Sequence, residues 1–240
     1  YSYRSSKFSA NLNGYYTLWQ NKPSNGGVTV LVDDVSYRAN INGMDALHKG
    51  IEMDFSYKIL SNLGVEGLVS LGDWKWMSSD TVRFLDDNNN PITDDFGNEI
   101  IASFDADGVH VGDAAQTQFG FSVRYEPSYN SYIKFRSTYF DNYYADFDPL
   151  SLNGENAGRE SWKIPSYNLI DLHAGYKFKI SQKTKMDIKL SILNLFDEIY
   201  ISDAQNNDPY NASYQDFDAK SAGVFFGLGR RINLSAKFTF

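Results

Sequence analysis

The sequence has no cysteine, which removes disulfide frameworks and cysteine-ligated metal centres from consideration. It has no apolar run near the about 18 residues that a membrane-crossing helix requires, and its mean hydropathy is −0.43. Basic charge is scarce. Twenty-two Lys and Arg stand against 30 Asp and Glu, for a net charge of −8 and a pI near 4.8. No basic stripe is present for a nucleic acid to follow. Only three histidines occur, His48, His110 and His173, and none lies in an HExxH pattern or at i, i+4 from another ligand. There is no Gly-x-Ser-x-Gly elbow and no phosphate-binding glycine loop. No catalytic residue, cofactor or metal is therefore expected, and the chain is read as a non-enzyme. An initiator methionine and a signal segment are also missing. The chain opens on Tyr1, and is read as a processed product or part of something longer.

Alternation is what the sequence has in quantity. At the C-terminus Ile232, Leu234, Ala236, Phe238 and Phe240 alternate with Arg231, Asn233, Ser235, Lys237 and Thr239. Successive side chains of a strand point to opposite faces, so this is a strand with one apolar and one polar side. The pattern recurs in Leu172–Ile180, Ile51–Ile59 and Phe119–Glu126. Weaker copies run through Phe8–Leu18, Leu63–Leu71, Ile133–Tyr139 and Met186–Ile192. About eight strands follow, near the about 10 residues a tilted strand needs to cross a bilayer. Every second residue of such a strand is polar, so a membrane barrel also yields low hydropathy.

Connections separate this reading from a soluble sheet. Tight turns are predicted near Leu60–Asn62, Pro127–Asn130 and Ser181–Lys183. Between them lie long stretches with few strand signals, at Ser78–Asp113, Asp141–Lys163, Asp197–Ser221 and from Gln20 to about Val35. Alternating short and long connections are the layout of an outer-membrane barrel with tight periplasmic turns and long external loops, whereas compact soluble domains rarely hold several such loops. Charge divides the same way. The first three long stretches carry net −8, −3 and −5, and the remainder of the chain is +8. Acidic loops of this kind are either simply solvated or attract cations.

Short strings at the strand ends complete the picture. Asn194-Leu195-Phe196-Asp197 closes the penultimate strand and Gly229-Arg230-Arg231-Ile232-Asn233-Leu234 opens the last. Upstream, Asn40-Ile41-Asn42-Gly43 precedes Lys49-Gly50-Ile51-Glu52-Met53. This series resembles the C-terminal barrel of TonB-dependent outer-membrane receptors, in which such strings recur in this order and the last strand ends in Phe. The family often has proline where Arg230 stands. The resemblance implies an all-β fold, an antiparallel transmembrane β-barrel of which residues 1–240 are a C-terminal segment. Family barrels have about 22 strands around a plugged lumen, and no plug domain is recognisable here. It further implies active uptake of a scarce, large solute of the siderophore, cobalamin, haem or glycan class across the outer membrane of a Gram-negative bacterium. The implied partners are outer-membrane lipid, the remaining strands and plug of the same receptor, a TonB-type energy-coupling complex and a surface lipoprotein. Two other readings stay open: a self-contained eight-strand barrel for adhesion or anchoring, closed by pairing Phe8–Leu18 with Ile232–Phe240, and a soluble carbohydrate-binding β-sandwich.

Candidate ligand contacts fall in the long connections. Tyr143, Tyr144, Asp146 and Asp148 mix rings with carboxylates beyond the expected membrane boundary, a combination suited to a polar ligand. Trp76, Tyr200 and Asp203 complete the set. An interfacial aromatic girdle accounts instead for Trp74 or Trp76 and for Tyr139. Phe238 and Phe240 are assigned as the terminal signal for barrel assembly. His173, on the polar face of its strand, is expected to join a polar network. The Asp86–Pro91 string lacks the glycine and distal glutamate of a calcium loop and is read as a turn at the tip of an external hairpin.

Overall fold

The computed structural model describes residues 1–22, 27–32, 35–40, 43–86, 88, 90–112, 114–206, 218–220 and 222–240. Residues 41 and 42 of the Asn40–Gly43 string, and 87 and 89 of the Asp86–Pro91 string, lie outside them. The strands in chain order are β1 (Ser2–Arg4), β2 (Phe8–Lys22), β3 (Gly27–Val32), β4 (Val35–Asn40), β5 (Met44–Leu60), β6 (Leu63–Trp76), β7 (Ser79–Arg83) and β8 (Ile101–Asp105). They continue with β9 (Thr117–Ser128), β10 (Ser131–Asp141), β11 (Tyr143–Tyr144), β12 (Lys163–Ile164), β13 (Tyr167–Lys179), β14 (Lys185–Leu193), β15 (Ile201–Asn206), β16 (Ala222–Phe226) and β17 (Arg231–Thr239).

Nine strands form one antiparallel sheet in the order β1-β2-β5-β6-β9-β10-β13-β14-β17. All eight strands expected from alternation are in it. The three-residue β1, paired to β2 through Tyr3 and Ala10, is the addition. It is too short for a period of two to be visible. The tight connections 61–62, 129–130 and 180–184, with the Ser5–Lys7 turn between β1 and β2, lie at one end. The long connections gather at the other. They are richer in strand than the sequence suggested: each folds back on itself, as β3–β4, β7–β8, β11–β12 and β15–β16.

Register shows why alternation matters. One row of paired residues runs Phe8, Tyr57, Val65, Val123, Phe135, Leu172, Ile192 and Ile232 across eight strands. A one-residue slip in any strand would put a polar side chain into that row. Nothing among the described residues covers this face. Phe121 is 47% exposed, Phe178 41% and Phe238 52%. A soluble monomer rarely exposes more than a few hundred Å² of contiguous apolar surface. A β-sandwich would bury these three rings in a protein core, and among the described residues the sheet gives them none. Nor do β2 and β17 pair, so the self-closed barrel is not formed.

The opposite face is polar and cross-linked. Ser9 and Ser56 share a hydrogen bond of 2.8 Å, and the Asn11 amide donates to Asp54 at 2.9 Å. Glu66 accepts from Ser122 and from Lys134 at 2.9 and 2.6 Å. Arg136 donates through Nε (3.1 Å) and Nη2 to Asp171, whose other oxygen accepts from the Asn194 amide at 2.9 Å. His173 takes the network role expected of it, sharing a 2.9 Å hydrogen bond with Ser191.

The terminal strings explain one another at this point. Asn194 (φ 50°) and Asp197 (φ 58°) both adopt left-handed backbone, which Asn and Asp tolerate better than most residues. Asn194 exchanges hydrogen bonds with Glu198 and donates to the Leu228 carbonyl. Asp197 accepts from the Arg230 amide at 2.7 Å. A Cβ at Gly229 would sit 2.9 Å from that carboxylate. The two strings are thus the halves of one corner, joining the end of β14 to the start of β17.

The packed core lies at the loop end, where the long connections fold against the ends of β5 and β6. Met44, Ala46, Trp76, Phe84, Ile92, Phe104, Ala106, Val109, Val111 and Leu152 form one buried cluster. Ala115, Tyr143, Ala145, Ile164 and Ala204 form a second. In the first, Phe84, Ile92 and Ile100 close a ring of backbone hydrogen bonds: Phe84 donates to Ile100, Ile100 to Ile92 and Ile92 to Phe84. Asp86 and Asp94 hold the two turns between them. Asp86 accepts from the Asn88 and Asn90 amides, and Asp94 from those of Phe96 and Asn98. The carboxylate of Asp86 is thus engaged in a turn, as read from the sequence.

Candidate functional site

The polar face and the long connections meet at one rim, and two groups of rings line it. On β2, β5 and β6 the Tyr15 hydroxyl accepts from Trp74 Nε1 at 2.8 Å, and His48 stacks on Trp74 with centroids 5.0 Å apart. Trp19 lies 6.3 Å from His48. Tyr15 can reach across because Gly50 and Gly72 stand beneath it. A Cβ at Gly50 would come within 2.4 Å of its hydroxyl. On β10 and β13, Phe140 stacks on Tyr167 at 4.9 Å and Tyr167 packs on Tyr200 at 4.5 Å. Gly227 lets Tyr200 lie flat, since a Cβ there would overlap its ring. Trp74 and Trp76 share the face of Glu66 and Ser70, two- and four-residue steps along β6. Neither belongs to a girdle on the apolar face, so that expectation is corrected for both. Tyr139 does lie on the apolar face, stacked at 6.2 Å on Phe119.

The candidate residues occupy different environments. Trp76 is buried in the first loop cluster, with the Lys22 ammonium 4.9 Å from its ring centroid. Tyr143 is buried in the second, its hydroxyl donating to the Ser202 carbonyl at 2.9 Å. Asp146 bridges connections through its backbone, the amide donating to the Ala204 carbonyl at 2.9 Å. Asp148 caps the 3-10 turn Pro149–Ser151 by accepting from the Leu150 amide at 3.0 Å. Burial holds its carboxyl above the usual range, and the Leu150 hydrogen bond only partly offsets this. Asp203 is exposed and accepts from the Ala204 amide. Phe238 sits on the apolar face beside Met186, and Phe240 is 91% exposed.

Tyr144 marks a cluster that the sequence did not reveal. Its ring stacks face to face on His110, centroids 4.3 Å apart. The His110 ring pairs through Nδ1 with Glu160, and its Nε2 lies 3.7 Å from Asp73. Asp73 also pairs with Lys49 at 3.1 Å and Lys75 at 3.5 Å. Burial and then the charge of Glu160 push the Tyr144 phenol above its ordinary value. Nearby, Asp141 raises the pKa of Lys163 by accepting its hydrogen bond. Five separated segments supply these groups, and no spacing within any one of them announces the others. No set of three or more carboxylates and histidines that could hold a metal occurs among the described residues.

A one-sided antiparallel wall with an uncovered apolar face, a cross-linked polar face, tight turns at one end and folded loops at the other defines the class: outer-membrane-type β-barrel. Within it, the chain belongs to the TonB dependent receptor-like, beta-barrel family, whose profile matches residues 1–195. Solved structures agree in fold. The siderophore receptor PiuA from Acinetobacter baumannii is 15% identical, with a TM-score of 0.57 over 99% of this chain and 26% of that one. The ferric yersiniabactin uptake receptor FyuA from Yersinia pestis is 14% identical, with a TM-score of 0.58 over 99% of this chain and 28% of that one. The copper transporter OprC is 15% identical, with a TM-score of 0.59 over 100% of this chain and 30% of that one. This chain therefore spans less than a third of the length of each. No curated protein matches the sequence.

Proposed function

We propose that this chain forms part of the wall and the external loops of an outer-membrane receptor that takes up a scarce, large solute. The observation that carries this reading is the wall itself: an apolar face that no described residue covers, backed by a polar face that no lipid would solvate. The apolar face meets outer-membrane lipid, and the polar face lines a lumen that a plug occupies. The remaining strands come from the same receptor, because an open sheet edge cannot stand in hydrocarbon. Energy reaches the plug from a TonB-type complex. The solved relatives are named as siderophore, ferric yersiniabactin and copper receptors or transporters, which supports uptake in general. The siderophore, cobalamin, haem or glycan class is our reading, as is the location in a Gram-negative outer membrane.

In this reading Tyr144, Tyr200 and Asp203 touch ligand, while Asp146 and Asp148 set the loops around them. Trp76 and Tyr143, though candidates, act from within the loop cores. Phe238 and Phe240 serve barrel assembly, and a surface lipoprotein caps the loops. The test is uptake by cells expressing the full receptor, with and without collapse of the inner-membrane proton gradient. Energy-dependent accumulation of a labelled siderophore, cobalamin, haem or glycan, lost on deletion, is expected. Recovery of the protein in the soluble fraction would sink the proposal.

A further inference from the structure

The polar face changes character towards the tight-turn end of the last three strands. Lys177 of β13 pairs in register with Asp187 of β14, and Asp187 with Lys237 of β17. In the next row Lys179 stands directly opposite Lys185, followed by Thr239. Lys189, two residues along β14, has its Nζ 3.7 Å from Asp187. Five lysines thus stand in these rows around one carboxylate, and Lys189 is the one paired with it. All five lysines are exposed. Lys177, Lys179, Lys185 and Lys237 make no ion pair among the described residues. Together the three strand ends floor an open groove of about 490 Å³.

This is an unusual way to finish a polar wall. Elsewhere on the same face, three basic side chains are matched within the sheet: Lys134 to Glu66, Arg124 to Glu126 and Arg136 to Asp171. Like charges placed directly opposite in neighbouring strands destabilise the pair, and Lys179 and Lys185 are such a pair. The lipid-facing side of these rows carries Phe178, Met186 and Phe238. The lysines are therefore turned away from phospholipid headgroups and towards whatever fills the lumen. The solved relatives are more than three times the length of this chain, which leaves ample polypeptide to lie there.

We propose that this lysine patch is the docking surface for an acidic segment of the plug, resting on the plug-filled lumen proposed above. Carboxylates of that segment would complete the pairing that Asp187 begins. They would also anchor the periplasm-facing side of the plug to the last three strands of the wall.

The test uses the full receptor purified from outer membranes and a carbodiimide. This reagent joins a lysine amine to a carboxylate in contact with it, forming an amide with loss of water. Mass spectrometry should find Lys179, Lys185 or Lys237 joined to Asp or Glu of the plug. The yield should fall several-fold at high salt, which screens exposed charges. The triple variant Lys179→Gln, Lys185→Gln, Lys237→Gln should keep heat-modifiable barrel mobility on gels while hydrogen exchange of the plug rises. Cross-links confined to Asp187, or to periplasmic proteins, would overturn the assignment, provided that Lys134 joins Glu66 as an internal control. Plug exchange unchanged in the triple variant would overturn it too, as would patch lysines protected only by added anionic phospholipid. An intact mass of 27.2 kDa, with no plug present, would instead remove the reading on which the proposal rests.

Discussion

At the scale of single residues, glycines and carboxylates give the sharpest tests. Gly50 accepts no side chain: an added Cβ would meet both the Tyr15 hydroxyl at 2.4 Å and the Leu71 carbonyl at 2.5 Å. The carbonyl is backbone and cannot swing aside. Gly14, in register with Ile51, would place its Cβ 4.0 Å from the nearest atom. Gly50→Ala should therefore cost about 1–3 kcal/mol as overpacking, and Gly14→Ala should be close to neutral, measured by denaturant unfolding in lipid vesicles. Equal midpoints for the two variants would contradict the packing described. Arg136→Ala leaves Asp171, 7% exposed, with the Asn194 backbone amide as its one remaining partner among the described residues. A charge-assisted hydrogen bond contributes about 1.5–3 kcal/mol, and a loss in that range is expected by the same measurement.

Loop carboxylates should respond to pH with opposite signs. Hydrogen bonds from Asn90 and Asn98, side chain and backbone, hold Asp86 and Asp94 below the usual carboxylate value. Their contribution is complete above the unfolded value of 3.8, and is lost as pH falls through the lowered folded values. Amide exchange at 84–100, corrected for intrinsic rate, should accelerate below that range. It should do so less in Asp86→Asn, Asp94→Asn. For Asp148 burial raises the pKa, so the penalty is absent below the unfolded value and full above the folded one. The 149–152 turn should loosen as pH rises through that window. Asp148→Asn, which keeps an acceptor for Leu150, should abolish the drop.

At the scale of elements, wall and loops are stabilised by different means. The wall holds by register and solvent partition, and the loops by ordinary buried cores. Phe84, 1% exposed, lies at the centre of the 78–113 connection. Phe84→Ala should cost about 3–5 kcal/mol locally, opening that connection to protease while barrel mobility on gels is retained. A barrel that unfolds together with the loop would show that the two share one cooperative unit. The sequence reached the wall strands because period two is a local property. It did not reach the loop hairpins, whose pairing joins residues such as Arg83 and Ile101 with no pattern of their own.

At the scale of the whole molecule, closure is the question. The sheet ends on β1 and β17 without joining them. Cysteines introduced in pairs along β2 and β17 of the full receptor should form no disulfide within a monomer. Efficient cross-linking would restore the eight-strand self-closed barrel and weaken uptake as the function. The face-to-face His110–Tyr144 stack illustrates a further limit. Its members, with Glu160 and Asp73, come from β6 and two long connections, and only the folding of those connections brings them together.

The sequence by itself determined which side of each strand is apolar and where the tight turns fall. These features are fixed by chemistry within a few residues of one another. Only the tertiary structure decided that Trp74 and Trp76 turn from lipid, that Tyr143 is buried and that Lys179 stands directly opposite Lys185. Those outcomes depend on strand register and loop packing, which set neighbours across tens of residues and leave no local trace.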